Sequence, residues 1–137
     1  MNPEDIERMR QASLEEPAWR LLGINLEKVS EGYAKASLMI KPEFLNFVGT
    51  IHGGIIMTLA DSAFGYAVNT LHFPTVACQF NTHFLNPAKQ DEELVAECRV
   101  VKAGKRIVMA EISVETRDGR LIARATGTGI PLAKEPG

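Results

Sequence analysis

Hydrophobic residues recur with a period of two along most of this chain, and with helical spacing in one long segment. Ala34, Ala36, Leu38 and Ile40 fall on one face of a strand, with Tyr33, Lys35 and Ser37 on the other. A strand starting at Ile24 precedes it, and Glu31-Gly32 joins the two as a hairpin. Beyond Pro74 only strands are predicted. The first is Val76 to Leu85; in the second Leu94, Ala96, Cys98 and Val100 alternate with Val95, Glu97, Arg99 and Val101. Next come Val108, Ala110, Ile112 and Val114 against Met109, Glu111, Ser113 and Glu115, then Leu121, Ala123 and Ala125 against Ile122, Arg124 and Thr126. Ala103-Gly104-Lys105 and Asp118-Gly119 read as tight turns, the second with positive φ at both central positions.

Between these strand regions, residues 53–70 carry Ile55, Met57, Leu59, Ala60, Ala63, Phe64, Ala67 and Val68 almost all round a helical circumference. Such a helix is expected to be buried. Residues 3–12 predict a polar helix, a second short turn spans Pro17 to Leu22, and residues 42–50 predict a loop. The domain reading is therefore an N-terminal helical flap outside the core at 1–22, a main domain at 23–132 and a loose tail at 133–137. The main domain is one buried helix wrapped by one antiparallel sheet.

Composition narrows the setting. A chain of 137 residues, 45% hydrophobic and 23% charged, makes one domain able to bury roughly two-thirds of its unfolded surface. With 15 Lys and Arg against 17 Asp and Glu, no basic footprint for nucleic acid is expected. Cys78 and Cys98 form neither a CxxC pair nor a cluster with histidine, so no metal is expected and a reducing cytoplasm is the expected location. The polar N-terminus does not read as a signal peptide, and no apolar run is long enough for a membrane span.

The chemistry concentrates in Asn46-Phe47-Val48-Gly49-Thr50-Ile51-His52-Gly53-Gly54, which leads into the long helix. Glycines at a helix start allow close approach to amides that lack intrahelical partners, so Gly53 and Gly54 can hold an anion or a developing oxyanion. The same pair also serves simple close packing. Asp61 is the one charged residue on an apolar helix. A desolvated carboxylate there suits a general base or a nucleophile, and equally a structural Asp bonded to Ser62 or to a backbone amide across an interface. Gly53 and Asp61 lie eight residues apart, roughly 12 Å along a helix axis. One acyl carbon cannot meet both in the same chain, so a shared substrate requires two subunits and a two-fold dimer with composite sites.

Asn46 can donate to a substrate oxygen, and His52 can orient it or cap the helix; both are also ordinary turn and helix-end residues. Thr75, Asn81, Thr82 and His83 fall on the following strand, facing either a cleft or solvent. Leu45, Phe47, Phe64 and Tyr66 are candidates to shape a pocket. Lys102, Lys105 and Arg106 gather at a hairpin, where they meet phosphates or simply solvate a turn.

Asn46, His52-Gly53-Gly54, Leu59-Ala60-Asp61 and Asn69, with Leu85-Asn86-Pro87-Ala88 and Gly119-Arg120-Leu121-Ile122-Ala123, together resemble the hotdog-fold acyl-CoA thioesterases. Within the 4-hydroxybenzoyl-CoA thioesterase superfamily the pattern is most similar to the phenylacetate-degradation (PaaI-like) branch. The resemblance spans about residues 20–132. It implies an α+β hotdog fold, dimers that pair into tetramers, an acyl-CoA substrate, and no cofactor beyond the CoA of the substrate. It further implies that the Gly53 amide polarises a thioester carbonyl with help from Asn46, that His52 positions Asn46, and that the partner's Asp61 activates water or attacks directly. Family members often hold the water with a Ser or Thr where this chain has Ala77; Thr75 or a side chain from the partner is the expected substitute. CoA phosphates would meet Lys102, Lys105 and Arg106. Two functions follow as expectations: an acyl- or aryl-CoA thioesterase, or a hotdog module that binds acyl-CoA without cleaving it.

Overall fold

A computed structural model describes residues 1–133. The expected tail at 133–137 therefore lies, from residue 134 on, outside the described residues. Helix α1 (Pro3–Glu15) starts at a capping box: the Asp5 N–H donates to Asn2 Oδ1 at 2.9 Å, and the Asn2 N–H donates to Asp5 Oδ2 at 3.4 Å. Helix α2 (Pro17–Leu22) stops at Gly23, whose φ of 80° lets its N–H return to the Trp19 carbonyl at 2.8 Å. Trp19 is buried and packs on Tyr66 with ring centroids 4.6 Å apart. The N-terminal segment is thus pinned into the core by one indole, where the sequence pattern predicted a flap outside it.

Strands β1 (Asn25–Ser30) and β2 (Tyr33–Met39) form the expected hairpin, with Gly32 at φ 70° in its turn. Helix α3 (Gly53–Asn69) follows, then β3 (Thr75–Phe84), β4 (Glu93–Ala103), β5 (Val108–Thr116) and β6 (Leu121–Pro131). All six strands form one sheet in the order β1-β2-β4-β5-β6-β3, antiparallel throughout. The chain crosses from β2 through α3 to the far edge of the sheet before filling the middle, so the sheet curves round the helix.

Period two decides which side chains meet α3. Ala34, Ala36, Leu38, Leu94, Ala96, Cys98, Val108, Ala110, Ile112 and Val114 are all buried against Leu59, Ala60, Ala63, Phe64, Ala67 and Val68. The register shifts near the start of β6, so Ile122 is buried beside Ala123 and Leu121 is only half-buried. The β5–β6 turn has positive φ at Gly119 alone (98°), and the Thr116 N–H closes on the Arg120 carbonyl at 2.9 Å. This is a three-residue loop ending in a left-handed glycine, where the sequence pattern predicted positive φ at Asp118 too. Helix α3 is also less enclosed than its composition implies. The sheet covers one side, while Met57 and Asp61 are exposed and Gly54, Thr58, Ser62 and Gly65 are half-buried along the other. No helix among the described residues is long and apolar enough to cross a membrane.

Phe64 fixes how closely the helix approaches the sheet. A Cβ on Gly127 would lie 2.8 Å from the Phe64 ring and 3.0 Å from Phe80; one on Gly129 would lie 2.8 Å from Thr75. The two glycines leave a slot that the ring fills. Gly127→Ala overpacks it and is expected to cost about 1–3 kcal/mol in urea unfolding. Combining it with Phe64→Leu should cost less than the sum of the single changes, because the shared clash is relieved. Strict additivity would show that the slot does not set the helix–sheet distance.

Candidate active site

The chain segment before α3 is a miniature hairpin. Leu45 and Ile51 form an isolated bridge, the Asn46 N–H donates to the Thr50 carbonyl at 2.7 Å, and Gly49 turns the chain at φ 86°. Asn46 holds this loop from inside. Its Oδ1 accepts from the N–H groups of Val48 (3.0 Å) and Thr50 (3.2 Å), and its Nδ2 donates to Thr50 Oγ1 at 3.2 Å. Phe47 stands fully exposed at the tip, 100% accessible. The loop is anchored by two main-chain bonds, from the His52 N–H to Phe44 and from the Ile51 N–H to Ala88, at 2.8 and 2.9 Å.

His52 then caps α3. Its Nδ1 accepts from the Gly54 N–H at 3.0 Å, which places the ring proton on Nε2. The next amides, of Ile55 and Ile56, turn back to the His52 carbonyl at 3.0 and 3.4 Å. The Gly53 N–H has no acceptor among the described residues, so the positive end of the longest helix presents one free amide there. A Cβ on Gly53 would meet the Phe84 ring at 3.3 Å, so that ring, from the end of β3, packs against the first residue of α3. Gly53 and Gly54 therefore differ: one amide is open and the other is taken by His52. Asn46 and His52 each bond to main chain or to Thr50, not to each other.

Asp61 lies about two helical turns further on and faces a different space, a groove of about 1430 Å³ between the uncovered side of α3, the N-terminal helices and the start of β3. Its carboxylate is exposed in the single chain, yet the atoms crowding it raise its proton affinity above that of an ordinary aspartate. The hydroxyls round this side of α3 are committed to main-chain carbonyls: Thr58 to Gly54 at 2.8 Å, Ser62 to Thr58 at 2.6 Å and Thr75 to His72 at 2.6 Å. Ser62 thus does not bond to Asp61.

Thr75 and Ala77 line the Asp61 groove, whereas Gly53, Gly54, Asn46, His52 and Phe47 lie outside it at the start of α3. Phe64 borders the groove and is at the same time a core residue, 1% exposed. A pocket aromatic and a core aromatic leave the same mark on a helix in sequence. Lys102, Lys105 and Arg106 are exposed at the β4–β5 turn, which closes from the Gly104 N–H to Ile107 at 2.9 Å and lies at the same sheet end as Thr75. Among the described residues no three His, Cys, Asp or Glu side chains gather as a metal ion requires. Phe84 and Ala88 escaped the sequence reading, although Leu85-Asn86-Pro87-Ala88 adjoins one and contains the other. Asn86 Nδ2 and Arg120 Nη2 tie that segment down by bonding to the Leu121 and Pro87 carbonyls at 2.8 and 3.1 Å.

The thioesterase superfamily model matches residues 48–123, which run from the hairpin tip through α3 to β6. The chain is 30% identical to the acyl-coenzyme A thioesterase PaaI of Escherichia coli over 108 residues, covering 79% of this chain and 77% of that protein. It is 30% identical to human acyl-coenzyme A thioesterase 13 over 113 residues, covering 80% and 81%. The solved structure of the E. coli PaaI protein superposes with a TM-score of 0.89 at 25% identity, over 93% of this chain and 92% of that one. That fold and the implied hotdog fold are one, a long helix inside a curved antiparallel sheet with short N-terminal helices. With the match running through the capped glycine pair, the helix and Asp61, this chain belongs to the thioesterase superfamily.

Proposed function

We propose that the protein hydrolyses acyl-CoA thioesters to a free acid and CoA, as a homodimer in which each site combines Gly53 of one protomer with Asp61 of the other. The observation that carries this reading is the separation, within one chain, of a free helix-terminal amide from a carboxylate of raised proton affinity. The superfamily membership and the relatives named acyl-coenzyme A thioesterase support the activity. Two features support the dimer. Strand β3 is a ten-residue edge, exposed along most of its length with Val76 and Phe84 open to solvent, and the uncovered stripe of α3 lies beside it. Long apolar edges are normally paired or covered.

In the proposed reaction the Gly53 N–H polarises the thioester carbonyl, with Asn46 Nδ2 as a second donor. Asp61 takes a proton from water as the water oxygen attacks the carbonyl carbon. The carbon–sulfur bond then breaks, and the CoA thiolate recovers the proton from Asp61. Direct attack by Asp61 is the variant the same placement permits. Phe47 and Tyr66 flank the acyl group, while Lys102, Lys105 and Arg106 meet the CoA phosphates. Pairing of dimers into tetramers and a cytoplasmic setting, consistent with two free thiols, belong to the same proposal.

Asp61→Asn should leave a folded oligomer that binds acyl-CoA but releases thiol at least about a hundredfold more slowly. It should also melt higher at neutral pH. The folded carboxyl binds its proton more tightly than an unfolded one, so its ionised form opposes folding above that range and the amide does not. Near-normal turnover in Asp61→Asn would exclude Asp61 as the base, whereas no thiol release by the wild-type protein from any acyl-CoA tried would favour the binding module over the enzyme.

Activity depends on ionised Asp61, so kcat/KM should fall on acidification at a pH above 3.8, the ordinary aspartate value. An acid limb at or below that value would exclude Asp61 as the base.

Gly53→Pro removes the free N–H at a first helical position that tolerates proline, and its predecessor His52 already has the extended backbone (ψ 132°) that proline requires. The expected loss is about 10²–10³ in kcat. Co-expressed Gly53→Pro and Asp61→Asn chains should recover up to about a quarter of wild-type activity, since a mixed dimer has one intact composite site. No recovery would place both groups in one chain's site.

A further inference from the structure

Glu16 stands at the junction of α1 and α2, in the N-cap position of α2, yet its side chain makes no capping hydrogen bond. It turns into the groove that holds Asp61. There its Oε2 is sealed from solvent and has no hydrogen-bond partner among the described residues. A buried, unbonded carboxylate oxygen is costly to keep. The cost is raised further by Asp61, whose negative charge is close enough to push the Glu16 carboxyl up beyond the effect of burial alone.

Among the described residues nothing else facing the groove neutralises the two. Arg8 is paired with Asp5 at 2.5 Å, and the Met1 amino group with Glu31 at 3.5 Å. Glu15 adds a further negative group on α1, and the His72 ring contacts the Leu132 carbonyl at 3.1 Å. Tyr66 is held neutral, pushed up to about 12 by burial and by Glu16. The neighbouring hydroxyls are bonded to main-chain carbonyls, as described above, and Ala77 offers none.

We propose that Glu16 and Asp61 form a working carboxylate pair in which Glu16 is the positioning residue, using its like charge to make Asp61 the stronger proton acceptor when both are ionised. Both members come from one chain, so the pair exists whatever the partner contributes. The assignment of Asp61 as base rests on the function proposed above; the pairing itself does not. Two interacting carboxyls lose their protons in steps that belong to the pair. At intermediate pH the pair holds one proton, and while that proton sits on Asp61 the carboxyl is unavailable as a base.

The test is a charge series, Glu16→Asp, Glu16→Gln and Glu16→Lys, read by carboxyl ¹³C NMR titration and by the pH profile of phenylacetyl-CoA and hexanoyl-CoA hydrolysis. In wild type the Asp61 carboxyl resonance should titrate in two steps. In Glu16→Gln it should titrate in one, at a pH lower by roughly one unit, with the acid limb of kcat/KM moving the same way and plateau kcat falling. Glu16→Lys should move both further, and Glu16→Asp should stay near wild type. A structural role alone would lower the melting temperature of all three variants without ordering the titrations by charge. An Asp61 titration unchanged by Glu16→Gln overturns the pair; two-step titration in a protein that releases no thiol from either substrate keeps the pair and overturns the hydrolytic reading.

Discussion

A helix as apolar as α3 cannot stand in water, and a single six-stranded sheet can curve round only part of it. The rest of the molecule follows from that mismatch. The covered side takes large side chains, with Phe64 seated in the slot above Gly127 and Gly129. The uncovered stripe carries what a second surface can approach: Gly54, Thr58, Ser62 and Gly65, with Asp61 in their midst. The N-terminal helices cover one flank of that stripe by inserting Trp19, and in doing so create the groove that Asp61 faces. The carboxylate's raised proton affinity is therefore a by-product of how the helix is packed.

The free amide has a comparable structural origin. A helix end offers several unpaired N–H groups, and here most are used: His52 takes that of Gly54 with its ring and those of Ile55 and Ile56 with its carbonyl. Gly53 is left alone, with the Phe84 ring packed beside the residue. Behind it, the loop from Asn46 to Thr50 is tied internally by the Asn46 side chain and externally to Ala88. Asn86 and Arg120 secure the segment that contains Ala88. Motifs that look unrelated in sequence thus converge on one task, holding a main-chain nitrogen still at the positive end of a dipole.

The strands and α3 were legible because alternation and helical spacing are strong signals over seven to seventeen residues. The distance from Gly53 to Asp61 was legible for the same reason, since helical rise is fixed. The burial of Trp19 inside the segment read as a flap was not legible, because a six-residue helix is too short to display a face. The conformation of Asp118 was misread because Asp-Gly serves two hairpin loops that differ by one residue. Glu16 was invisible because its surroundings come from α3, some forty-five residues away, and no local pattern records a tertiary neighbour.

Strand β3 has a double position whose consequence reaches beyond the site. Along its length it is the open edge of the sheet, and the ring of its last residue, Phe84, packs against Gly53. Whatever pairs with that edge therefore acts on the same element that packs on the start of α3. Assembly and the helix start share one mechanical part, so selection cannot tune the edge for tighter association without also adjusting the ring that packs on Gly53.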